Sequence, residues 1–113
     1  MKLVHVKNLP KISSNHNPKI KKKVILEKDY IPSLLTFGQA TFLPGQKAFT
    51  HTHESMYEVF YIQSGRVEFS VKGKTFELGP DDSFVVEPGE EHSQNNPYDK
   101  PVTLLYFGIE RET

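Results

Sequence analysis

A neutral chain of 113 residues, with 14 basic and 14 acidic side chains, is long enough for one domain and too short for two stable cores. The charge balance argues against nucleic acid or an anionic membrane surface as the main partner, and the absence of cysteine excludes disulfides and thiolate metal sites. Hydrophobic residues make up 36% of the chain, and 8 Phe and 5 Tyr can fill a compact core without Trp.

Lys2 to Lys7 alternates Leu3 and His5 against Val4 and Val6, which predicts a short edge strand. The start carries no long apolar run, so neither a signal peptide nor a membrane span is expected, and a cytoplasmic location follows as the expectation. Residues 8–23 are polar and contain Pro10 and Pro18, the signature of a loop. Lysines 19 and 21–23 end it and read as an exposed strand start. Val24–Leu26 is a buried-strand candidate, and Asp29–Ser33 a turn.

From Leu34 to Leu43 the pattern has a period of two, closed by the turn dipeptide Pro44-Gly45. Phe49–His53 and Glu58–Gln63 are the next strands, separated by Glu54–Tyr57. Val67, Phe69 and Val71 mark one face of a further strand, with Arg66, Glu68 and Ser70 on the other. Lys72-Gly73 suits a two-residue hairpin loop before Thr75–Leu78. Strands over Ser83–Glu87 and Thr103–Ile109 flank the polar loop Asn95–Pro101. With no helical stripe of ten residues, eight to ten short strands predict an all-β sandwich or barrel.

Chemistry concentrates in Gly45–Gly65 and in Glu87–Asn96. Side chains two apart on a strand share a face at about 6.5–7 Å, so His51 and His53 can converge on one ion. Glu58 lies an odd five positions on, and the break at Glu54–Tyr57 can restore its phase. Phe49 and Lys47 are expected on the face of His51, and Phe60 and Ile62 on that of Glu58. Either Val67, Phe69 and Val71 or Arg66, Glu68 and Ser70 continue inward on the next strand. Tyr57, Gln39 and Asn96 are candidates to orient a ligand, with Tyr57 or Glu54 as a possible general base. His5 and His16 read as surface residues. Only Arg66 and Arg111 are available as arginines, too few for an evident phosphosugar site.

The run Gly45, five residues, His51-x-His53, four residues, Glu58, six residues, Gly65 resembles the first motif of the cupin superfamily at every specified position. Gly89, His92 and Asn96 match its second motif, whereas Asp81 and Glu87 replace the Gly and Pro expected there. The resemblance implies a double-stranded β-helix, or jelly-roll cupin barrel, over 34–113, with 1–33 contributing N-terminal strands and a loop to a single domain. It further implies one divalent metal held by His51, His53, Glu58 and His92, with iron, manganese, nickel, cobalt or zinc as candidates and copper able to replace them. A metal-dependent enzyme acting on a small polar organic molecule, commonly as a homodimer, is the function so implied. A non-catalytic module binding metal or a small molecule is the alternative.

Overall fold

The computed structural model describes residues 1–112 and contains ten strands. These are β1 (Ile12–Ser14), β2 (Asn17–Leu26), β3 (Leu34–Phe42), β4 (Lys47–His51), β5 (Met56–Ser64), β6 (Val67–Val71), β7 (Lys74–Leu78), β8 (Ser83–Val86), β9 (His92–Asn95) and β10 (Val102–Glu110). They form a six-stranded sheet ordered β1-β2-β3-β10-β5-β8 and a four-stranded sheet ordered β4-β9-β6-β7. Every pairing is antiparallel. The fold is an all-β jelly-roll: from β3 onward the chain passes from one sheet to the other at every step except the β6–β7 hairpin.

Alternation along each strand turns one set of side chains into the space between the sheets. Ile20, Ala40, Phe42, Phe60, Ile62, Val102 and Leu104 come from the larger sheet, and Ala48, Val67 and Phe69 from the smaller; all are buried. Of the two possible faces of β6, the apolar one is therefore inside. Two close approaches require glycine. At Gly65 φ is +81°, and an added Cβ would lie 2.7 Å from the Val102 Cα. At Gly38 it would lie 2.6 Å from the Tyr106 Cζ and 2.7 Å from the Lys23 carbonyl oxygen.

The N-terminal third departs from expectation. In place of a strand over Lys2–Lys7, the chain makes a 3-10 turn at Val6–Asn8. The predicted loop over 8–23 is a hairpin: β1 pairs with β2 around Asn15-His16, and β2 pairs with β3. The polar composition concealed a strand alternation. Ile20, Lys22 and Val24 occupy the inner face of β2, while Lys21 and Lys23 face outward and bond to main-chain carbonyls. Asp81, which stands where the motif has glycine, adopts φ 70° in the turn before β8. Asp tolerates the left-handed region better than most residues, so the turn survives the replacement. Among the described residues no helix is long and apolar enough to cross a membrane.

Candidate metal centre and its cavity

The inner end of the barrel gathers four side chains from four segments. His51 ends β4, His53 follows it in the loop, Glu58 is the third residue of β5, and His92 opens β9. His51 and His92 are direct partners across β4 and β9, and a register shift between Ala48 and His51 re-aims the end of β4. That shift also explains why Phe49 does not share the inner face expected of it. It is 60% exposed, and Lys47 is exposed as well. The loop between β4 and β5 brings Glu58 back into phase, leaving its side chain inside with Phe60 and Ile62.

One donor atom from each of His51, His53, Glu58 and His92 lies within 4.8 Å of every other. Glu58 Oε1 is 3.7 Å from His53 Nε2 and 3.4 Å from His92 Nε2. All three of these atoms are buried without a hydrogen-bond partner. Burying such groups unpaired costs about 1–3 kcal/mol each, so their convergence is the mark of a site completed by a ligand. The donor set, three imidazoles and a carboxylate, suits a divalent cation.

The rings are held from behind. His51 Nδ1 lies 2.6 Å from the Phe49 carbonyl oxygen, and His92 Nδ1 lies 2.9 Å from that of Glu90. In each ring this contact assigns the proton to Nδ1 and leaves the Nε2 lone pair for the centre. The Gly89 N–H donates to the His53 carbonyl at 2.8 Å and anchors the loop. Burial is the main cause that pulls His51 down to about 4, against the opposing pull of the Phe49 carbonyl; the neighbouring histidines add to the lowering. Burial likewise lowers His53, partly countered by Glu58. At His92 burial acts downward too, but the combined pull of the Glu58 carboxylate and the Glu90 carbonyl outweighs it and the net shift is upward.

A cavity of about 330 Å³ opens from this cluster. Ala40, Phe42, Ala48, Phe60 and Leu104 contribute to its apolar wall, and Lys22, Gln94 and Tyr106 are among its polar members, with Ser14, Asn15 and Thr36. Tyr106 is buried, and its hydroxyl makes no hydrogen bond of normal geometry. Burial pushes the phenol up to about 12; Thr36 stands near enough to ease the shift, and Glu58 adds to it.

His16 is not the surface residue its sequence context suggests. It lines the cavity and stacks on His51, with ring centroids 3.6 Å apart and planes 9° from parallel. His5 is exposed, as expected.

The other expected orienting groups lie elsewhere. Tyr57 alternates with Glu58 and is 41% exposed on the outer face of β5, away from the cavity lining. Gln39 bonds to Gln63 at 2.8 Å, also on the outer face. Asn96 is fully buried but structural: Nδ2 donates to the carbonyls of Phe42 and Lys100, and Oδ1 accepts from the Tyr98 N–H. Glu54 is exposed beside Gly89. Sequence reasoning missed Lys22, Gln94 and Tyr106. The alternation Ile20-x-Lys22-x-Val24 and the parity of Tyr106 with Leu104 were the available signals.

Residues 38–108 match the family model for the cupin domain. The curated relatives include L-ectoine synthase of Bordetella parapertussis, 30% identical over 74 residues, which cover 65% of this chain and 55% of that protein. This chain thus matches only about half the length of that relative. A predicted oxalate decarboxylase from Thermotoga maritima superposes with a TM-score of 0.89 at 23% identity, covering 97% of this chain and 100% of that one. A polyketide cyclase from Streptomyces resistomycificus gives 0.83 at 17% identity, with 99% and 82% covered.

Proposed function

The chain belongs to the cupin domain family, and we propose that it is a metal-dependent enzyme acting on a small polar organic molecule. Oxygenase-, isomerase- and lyase-type reactions are the classes this site would serve. The observation that carries the reading is the convergence of three partnerless buried atoms, His53 Nε2, Glu58 Oε1 and His92 Nε2, beside His51 in the lining of a cavity. The enzyme name of the Bordetella relative supports catalysis over simple binding.

His51, His53, Glu58 and His92 would hold the ion, and iron, manganese, nickel, cobalt or zinc would meet this donor set. When bound, such an ion supplies Lewis-acid polarisation of a ligand oxygen at the positions the protein leaves open. The apolar wall of Phe42, Phe60 and Leu104 excludes water from a bound molecule and strengthens polar contacts made to it. Tyr106 keeps its proton on Oη at neutral pH and serves as a donor to the substrate. It takes the orienting role that the sequence suggested for Tyr57.

We assign the outer face of the six-stranded sheet to a homodimer interface. Phe37, Phe107, Val59 and Val85 form a continuous apolar row across it, with Tyr57, Tyr61 and Ile109 exposed beside them.

Elemental analysis of protein purified without chelator or histidine tag tests the centre. About one metal equivalent per chain is expected, falling sharply in His92→Ala. Less than about half an equivalent, unchanged by that substitution, would overturn the assignment. Metal-dependent turnover that vanishes in His51→Ala would separate an enzyme from a binding module.

A further inference from the structure

We propose that the cavity takes a small carboxylate, and that Lys22 is the residue that receives the carboxylate group. The proposal rests on the reading of the cavity as a substrate site. Lys22 pairs with Ala40, which pairs with Leu104, and all three point to the inner face and line the cavity. Its neighbours in sequence serve differently: Lys21 bonds to Ser13 and the Pro18 carbonyl, and Lys23 to the carbonyls of Val6 and Lys7. Among the described residues, the Lys22 side chain makes no hydrogen bond and no salt bridge, although the residue is half-buried. It pairs with Ile12 of β1, which puts it on the hairpin side of the cavity.

A lysine side chain without an ion pair in the lining of a largely apolar cavity leaves a positive charge that an anionic ligand can meet. Of the other polar residues in the lining, Tyr106 and Gln94 are buried and lie outside the histidine cluster. Tyr106 Oη lacks a partner, and Gln94, buried at 4% exposure, lines the cavity with no side-chain hydrogen bond. Ammonium, phenol and amide together offer what a carboxylate accepts: one charge and several donors.

Phosphate is the poorer fit, because its sites gather several cations or backbone N–H groups. The cavity lining has one lysine and no arginine. Arg66 pairs with Glu77 and lies over the Tyr98 ring, and Arg111 sits beyond the end of β10. Much of the remaining lining is aliphatic and aromatic: Ile20, Ala40, Phe42, Ala48, Phe60 and Leu104. The ligand therefore has a short apolar body with its carboxylate toward the hairpin.

The test is calorimetric titration of the purified protein, metal-loaded and metal-free, with acetate, succinate and benzoate, each against its amide, and with inorganic phosphate. At least one carboxylate should bind wild type more tightly than its amide. Lys22→Met should weaken that carboxylate about tenfold or more and leave its amide unaffected, with unchanged metal content. Lys22→Gln is the second neutral replacement, and thermal melts establish that both fold. Equal binding of the carboxylate by wild type and both variants, no preference of any carboxylate over its amide, or tighter binding of phosphate than of every carboxylate would each overturn the proposal. Lys22-dependent binding by protein that takes up no metal on loading would support it while sinking the metal centre. Metal retention without any Lys22 dependence would do the reverse.

Discussion

Individual side chains set the limits of this site. Gly38 is where they are tightest, because the Tyr106 ring occupies the space of a missing Cβ. Gly38→Ala should push the phenol out of place at a cost of about 1–3 kcal/mol, read as a lower midpoint in urea; an unchanged midpoint would show that the ring has room to move. Protonation provides a second prediction. The unfolded histidines titrate near 6.5, whereas folded His51 does so at about 4 and His16 and His53 are also lowered. As pH falls through that interval the unfolded chain takes up protons the folded chain refuses, so stability declines. His92 acts in the opposite sense: its raised value contributes stability below 6.5 that fades as pH rises through the folded value. Three lowered groups against one raised group predict that metal-free protein melts at a lower temperature at pH 4.5 than at pH 7. An equal or higher melting temperature at pH 4.5 would contradict the burial of these rings. The convergence of His51, His53, Glu58 and His92 was legible because their spacing is local and specific. The place of Tyr106 and Lys22 in the lining was not, since it depends on which face of a strand meets the cavity, and no motif records that.

At the level of elements, the β1–β2 hairpin is the unexpected part. Its sequence reads as a loop because short polar residues and two prolines dominate 8–23, yet pairing to β3 and contacts to β4 hold it in place. The Phe49 N–H donates to the His16 carbonyl at 3.1 Å, and Asn17 Nδ2 to the Lys47 carbonyl at 2.8 Å. These ties fix His16 flat against His51. A stacked pair is worth about 0.5–1.5 kcal/mol, so His16→Ala should weaken metal affinity several-fold without abolishing binding. Competition with a chromophoric chelator measures this, and an unaltered affinity would reduce the stack to incidental packing. The barrel strands were far easier to read. Leu34–Leu43, Val67–Val71 and Thr103–Ile109 alternate cleanly because one face of each is buried, whereas the start of β2 has only Ile20 fully buried to betray its phase.

For the molecule as a whole, the outer row of the larger sheet is the feature that neutral charge and modest hydropathy concealed. Phe37, Phe107, Val59 and Val85 are far apart in sequence and meet only through strand pairing. A lysine at its edge should break the proposed homodimer: light scattering after size exclusion is expected to give twice the chain mass for wild type and the single-chain mass for Val85→Lys. A monomeric wild type would remove this interface.

The proposed ligands are shared between the two walls, Glu58 from the larger sheet and His51 and His92 from the smaller. An ion held among them acts as a rivet through both plates, so loading and folding become one equilibrium. At a free ion concentration a hundredfold above the dissociation constant the gain is about 2.7 kcal/mol. Chelation should accordingly lower the melting temperature and speed amide exchange first in β4 and β9. The lifetime of this protein would then track the supply of a trace metal, and starvation for that metal would deplete the chain itself as well as its activity.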